Sequence, residues 1–152
     1  NLDVTKRIIA ADINPEYLKI TKSRFSHYGK NLLVCHTDIQ KEKLSFKNID
    51  FIFAGLILEY VDTEKSLKKI VRTLNKDGRL VLIIQKSKKS DFVSKTRFSS
   101  LNTLSNFSNN VREDVVKQVL EEEKMMLSDR EEFVFSEKKS FICLEYIFID
   151  AL

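Results

Sequence analysis

Two stretches of this chain are apolar almost without a break. Leu80-Val81-Leu82-Ile83-Ile84 contains no polar residue, and Ile49-Asp50-Phe51-Ile52-Phe53-Ala54 contains one. A strand with one wet face alternates apolar and polar residues. A strand apolar at nearly every position is covered on both faces, as in a parallel sheet held between helix layers. Arg7-Ile8-Ile9-Ala10-Ala11-Asp12 and Leu32-Leu33-Val34-Cys35-His36 read as two shorter strands of the same kind. Helical signals separate them. Asn14 caps free amides, Pro15 suits the first helical position and Glu16 favours the positive end of the dipole. Leu18, Thr21, Phe25 and Tyr28 then recur at helical spacing, and Gly29 reads as the residue that ends the helix. Asp62-Thr63 caps a second helix whose Leu67, Ile70, Val71 and Leu74 follow the i, i+3, i+4, i+7 pattern. Asn75-Lys76-Asp77-Gly78 reads as a turn. The order β-α-β, then β-α-β, predicts an α/β fold with a parallel sheet.

The second half differs. Residues 86–110 are rich in Ser, Asn and Lys without a period, so they read as a long connection with partial helix around 94–105. Residues 111–124 read as a helix with Val115, Val116, Val119 and Leu120 on one face. Residues 125–136 and 139–150 read as two strands joined at Ser136-Glu137-Lys138-Lys139. Both faces of the second are mostly apolar, which places it inside the sheet.

The whole chain of 152 residues reads as a single domain, 1–152, long enough for a substantial core. No run approaches the roughly 18 apolar residues of a membrane span. The net charge of +4 comes from basic residues interleaved with acids, a solvated surface rather than a nucleic-acid footprint. Cys35 and Cys143 lie in apolar runs without metal-ligand spacing and read as buried thiols. With no leader visible, they point to the cytoplasm. The three glycines, Gly29, Gly55 and Gly78, lie far apart, which excludes a glycine-rich phosphate loop within this sequence.

In open α/β sheets ligands bind at the carboxyl ends of the strands. Those ends carry Asp12 and Ile13; His36, Asp38 and Ile39; Ala54, Gly55, Leu56, Glu59 and Tyr60; and Gln85 and Lys86. A carboxylate in the place of Asp12 can accept from both hydroxyls of a ribose, or serve a helix start. Asp38 can accept from an adenine amino group, or shape a turn. Glu59 and Tyr60 either face a substrate or begin a helical turn. His36 reads as a base or as a packed residue. The basic stretch within 86–97 reads as a phosphate contact or a solvated loop. The triplet Asn106-Phe107-Ser108 matches a glycosylation acceptor, discounted in a cytoplasmic chain.

Residues 8–15 (IIAADINP), 33–39 (LVCHTDI), 50–62 (DFIFAGLILEYVD) and 74–84 (LNKDGRLVLII) together resemble class I S-adenosylmethionine-dependent methyltransferases of the small-molecule type. The resemblance implies a Rossmann-like sheet, mostly parallel, with an antiparallel C-terminal hairpin. It implies that Asp12 binds the cofactor ribose and Ile13 packs on the adenine. It places Asp38 on the adenine amino group with Ile39 beside it, and Ala54, Gly55 and Leu56 along the methionine half. The implied activity is methyl transfer to a small-molecule acceptor, with no residue assigned as catalytic. The Asn-Pro-Pro-Tyr signature of amino-group methylation on DNA or protein glutamine is absent. The sequence departs from the family at its start. The family opens with a strand and a glycine-rich turn, and only six residues precede Arg7. The expectation is an N-terminally truncated domain lacking the first strand. Direct pairing of strands 7–12 and 49–54, or a strand donated by another chain, are the alternatives. A non-catalytic methyltransferase-like module, acting through protein contacts or as a homodimer, is the second functional reading, and an NAD-binding Rossmann domain the third.

Overall fold

A computed structural model describes residues 7–87 and 108–149. They form two compact units, one ending at Lys43 and the other beginning at Leu44.

The first unit is a β-α-β element. Strand β1 (Ile8–Asp12) pairs in parallel with β2 (Leu32–His36), from Ile8 opposite Leu32 to Asp12 opposite His36. Helix α1 (Pro15–Arg24) starts as its sequence requires. The Asn14 side chain accepts from Glu16 N at 2.9 Å, and Pro15 opens the first turn. The helix stops at Arg24, not at Gly29. From Ser26 to Asn31 the chain tightens into a 3-10 turn where the His27 and Tyr28 rings lie 4.2 Å apart. Gly29, at φ 52°, then swings the chain into β2.

The second unit carries a four-stranded sheet in the order β3-β4-β6-β5. Strands β3 (Ile49–Gly55) and β4 (Leu74–Ser87) are parallel, whereas β6 (Lys139–Phe148) runs antiparallel to both β4 and β5 (Met125–Ser136). Among the described residues two strand pairs are parallel and two antiparallel. The arrangement is therefore mixed, not mostly parallel: the tight turn between Ser136 and Lys139 reverses β6 against β5, and β6 inserts between β5 and β4, antiparallel to both. The hairpin and the interior place of β6 match the sequence. Direct pairing of β1 with β3 is not among the described pairings.

Helices α2 (Thr63–Val71) and α3 (Glu113–Glu122) pack on each other and on this sheet. Leu67, Ile70 and Val71 of α2 and Val116, Val119 and Leu120 of α3 are buried, as are Leu80, Leu82 and Ile84 of β4 and Ile142, Leu144 and Tyr146 of β6. The opposite face of β3 is exposed at Phe51 and Phe53, so the covering of both faces read from this strand is not met among the described residues.

Two boundaries move. Asp62 caps α2 as expected, its side chain accepting from Lys65 N at 3.0 Å. The helix ends at Val71 because the Thr73 amide and hydroxyl both donate to the Ile70 carbonyl, at 2.9 and 2.7 Å. Leu74 then belongs to β4, opposite Ile49, not to the helix. The expected turn at residues 75–78 is an irregularity inside β4. The pairing passes from Ile49–Leu74 to Phe51–Arg79, so three more residues are spent on β4 than on β3.

Lys124 follows α3 in the left-handed region, at φ 62°. Glycine takes this position after a helix without a Cβ penalty. Lys124→Gly is expected to raise stability by about 0.5–1 kcal/mol, measured by denaturant unfolding.

Candidate functional site

The carboxyl ends of β1 and β2 are tied together by two hydrogen bonds, and a third fixes the end of β1 locally. Thr37 N–H donates to the Asp12 carbonyl at 3.1 Å. Asn14 N–H donates to Asp12 Oδ1 at 2.7 Å, and His36 Nε2–H donates to the Ile13 carbonyl at 2.9 Å. The carbonyl can only accept, so the proton is on Nε2. His36 thereby anchors the Ile13 backbone through Nε2. Asp12 serves the start of α1 through Oδ1, while Oδ2 accepts no hydrogen bond among the described residues. Between these ties the Ile13 side chain stands 62% exposed, an apolar surface on a fixed backbone.

Asp38 is a turn residue by geometry. Its Oδ1 accepts from Gln40 N at 2.9 Å, and its Oδ2 lies 3.4 Å from the Lys41 ammonium. Burial pushes its carboxyl up, but the Gln40 and Lys41 amides and the Lys41 charge outweigh burial and hold it below its ordinary value. It is therefore ionised at neutral pH. Ile39 is half-buried beside it.

In the second unit Ala54, Gly55 and Leu56 end β3. Ala54 is buried and Gly55 is exposed. Leu56 donates its amide to the Ile83 carbonyl at 2.8 Å and then takes φ 56°. A γ-branched residue in the left-handed region carries strain of about 1–3 kcal/mol. Such strain concentrates where a chain must leave a sheet abruptly, and nothing in the local sequence announces it.

Glu59 and Tyr60 lie in a 3-10 turn, Leu58–Tyr60, so the helical-turn reading holds. Glu59 is fully buried. Its Oε1 accepts from Gln85 N at 2.7 Å, and its Oε2 has no partner among the described residues. Burial raises its carboxyl above the ordinary value of 4.5, against the opposing pull of the Gln85 amide. Burial, then the Glu59 charge, raises the Tyr60 hydroxyl. A carboxyl raised by folding favours the protonated form, so its penalty grows as pH climbs from the unfolded value through the folded one. Glu59→Gln keeps the acceptor and removes the ionisation. Its stability relative to the parent is expected to rise across that window and to level off below about pH 4, followed by thermal melts at a series of pH values. The signal for this burial was present in sequence: Glu59 is the single charge in the run 51–61.

Cys35 and Cys143 are thiols and half-buried, less enclosed than expected. The proposed partial helix at 94–105, most of the basic stretch and the residues Asn106 and Phe107 lie outside the described residues. Among the described residues no cluster of His, Cys, Asp and Glu could hold a metal, and no helix is long and apolar enough to cross a membrane.

A family model described as a methyltransferase domain matches residues 2–82, more than half of the chain. The chain belongs to this family. Solved structures agree at the level of the fold. The N-methyltransferase NodS from Bradyrhizobium japonicum WM9, in complex with S-adenosyl-l-homocysteine, superimposes with a TM-score of 0.69 at 15% identity. That match covers 93% of this chain and 66% of NodS. Geranyl diphosphate C-methyltransferase from Streptomyces coelicolor A3(2) gives 0.72 at 9% identity, over 95% of this chain and 63% of that one. The [4+2]-cyclase SpnF gives 0.69 at 11% identity, over 93% and 66%. The methyltransferase domain described here thus has the Rossmann-like methyltransferase fold and spans about two thirds of the length of these neighbours. One neighbour is named a cyclase, so the fold alone does not settle the reaction. A search of curated protein sequences finds no match.

Proposed function

We propose that residues 1–152 act as one domain that binds S-adenosylmethionine and transfers its methyl group to a small-molecule nucleophile. The observation that carries this reading is Asp12. In a chain of the methyltransferase-domain family, its Oδ2 accepts no hydrogen bond among the described residues at a strand's carboxyl end, while Oδ1 holds it in place through Asn14 N–H. A carboxylate fixed by one oxygen and open at the other suits a ribose diol. The residues present fit the cofactor in two further respects. Ile13 offers an exposed apolar surface to a base, and Gly55 brings exposed backbone without a side chain.

When bound, the cofactor supplies an electrophilic methyl group on a sulfonium. The work of this chain is to hold and orient. Asp12 would accept from the ribose hydroxyls, Ile13 would pack on the adenine, and Ile39 would lie beside Asp38. Asp38, ionised, accepts from its amino group. Ala54, Gly55 and Leu56 border the methionine half. In-line displacement depends mainly on the alignment of donor and acceptor, so no side chain is assigned a proton transfer. The name of one neighbour, a geranyl diphosphate C-methyltransferase, supports a small-molecule acceptor. The interleaved charges support an acceptor other than nucleic acid, and the two thiols support a cytoplasmic site of action.

The test is calorimetric titration of the folded chain with S-adenosylhomocysteine. One saturable site is expected. A folded chain that releases no heat at any concentration up to millimolar would return the reading to a non-catalytic module.

A further inference from the structure

The last ladder bond of β3 is Leu56 N–H to the Ile83 carbonyl, 2.8 Å. In a parallel pair that continued, the next donor of β4 on this side, Gln85 N–H, would meet the Leu56 carbonyl. The left-handed turn at Leu56 ends the pairing. The orphaned donor is met instead by Glu59 Oε1 at 2.7 Å, so a side-chain carboxylate stands in for a ladder carbonyl. The backbone carbonyl of the same residue accepts from Asn109 N at 2.7 Å. One fully buried residue therefore fastens three segments: the connection after β3, the carboxyl end of β4, and the chain at Asn109.

Backbone donors buried without a partner are rare and costly. A strained Leu56 persists only where its surroundings over-determine it. We infer that Glu59 is a positioning residue, which keeps residues 55–57 turned out of the sheet, in the conformation that meets the methionine half of the cofactor, by capping the β4 edge at Gln85. The inference rests on the cofactor reading above. It differs from a purely structural role in one respect: the acceptor oxygen must be at the right reach, while its charge is dispensable.

The experiment compares the parent with Glu59→Ala, Glu59→Asp and Glu59→Gln. Hydrogen exchange is read at the Gln85 amide with Leu82 as internal reference, and S-adenosylhomocysteine affinity by calorimetry. Glu59→Ala removes the acceptor and Glu59→Asp withdraws it by one methylene. Both are expected to speed exchange at Gln85 relative to Leu82 and to weaken binding, each by about tenfold or more. Glu59→Gln, which keeps an acceptor at the same reach, is expected to stay close to the parent in both readouts. The inference is overturned if Glu59→Ala leaves Gln85 exchange unchanged, if exchange rises while affinity holds, or if Glu59→Gln loses as much as Glu59→Ala. Should Glu59→Ala not fold, the same readouts on Glu59→Asp decide. A parent that binds no S-adenosylhomocysteine sinks the cofactor reading and with it the positioning of the cofactor, whereas Gln85 exchange still reports whether the clamp exists.

Discussion

Asp12→Ala is expected to weaken S-adenosylhomocysteine binding by about 10- to 100-fold. Hydrogen bonds to an ionised group contribute roughly 1.5–3 kcal/mol, and each 1.4 kcal/mol is about a factor of ten. The same substitution also removes the Oδ1 bond from Asn14 N–H at the head of α1, so a loss of about 1 kcal/mol of stability accompanies it. Asp12→Asn separates the two effects. It keeps an oxygen for Asn14 N–H but replaces the second acceptor by an amide donor. Stability is then expected to match the parent while affinity falls nearly as far as in Asp12→Ala. Calorimetric titration alongside thermal melting checks both, and an Asp12→Asn chain that binds like the parent would falsify the ribose assignment.

Gly78→Ala is expected to destabilise the second unit by about 1–3 kcal/mol, a fall in melting temperature of roughly 2–4 °C for each kcal/mol in a chain of this size. A Cβ at Gly78 would lie 2.9 Å from the Asn75 carbonyl oxygen and 3.0 Å from the Ile49 carbonyl oxygen. Both are backbone atoms in the irregular pairing of β3 with β4, so neither can swing aside. Gly55→Ala is the control. Its Cβ would meet the far edge of the Phe53 ring at 2.9 Å. That ring is 59% exposed and can rotate into solvent, so the melting temperature is expected to hold. Equal melting of Gly78→Ala and the parent would mean that the backbone approach at Gly78 is looser than described.

Residue pattern announced most of the strands. The bounds of β2 and β5, the hairpin turn after Ser136 and the interior place of β6 all follow from runs of apolar residues closed by polar turns. The cap at Asp62 and the start of α1 were equally readable, because an N-cap depends only on residues within one turn of itself. Failures cluster where a local signal met a distant partner. Leu74 continues the period of α2 perfectly well, yet its backbone pairs with Ile49 of β3, and the Thr73 hydroxyl closes the helix before it. Asn75-Lys76-Asp77-Gly78 has the composition of a turn, but strand pairing on both sides absorbs it as an irregularity. Gly29 does turn the chain, five residues later than the helix it was expected to end.

The site divides along the same line. That Asp12, Ile13, Asp38, Ile39, Ala54, Gly55 and Leu56 stand at strand ends was legible, since strand ends follow from the apolar runs and the fold class places ligands there. Which oxygen of Asp12 is engaged, that Asp38 is held by Gln40 and Lys41, and that His36 anchors Ile13 were not legible. The His36 bond joins residues that come together only when β1 and β2 pair, and the contacts of Asp12 and Asp38, though local in sequence, depend on loop backbone that the folded strand ends hold in place. Glu59 is the clearest case. Sequence marks it as a charge in an apolar run, and two readings remain open there. Only the turn at Leu56, which ends a ladder and orphans the Gln85 amide, twenty-six residues along the chain from Glu59, makes a buried carboxylate the acceptor that the sheet edge needs.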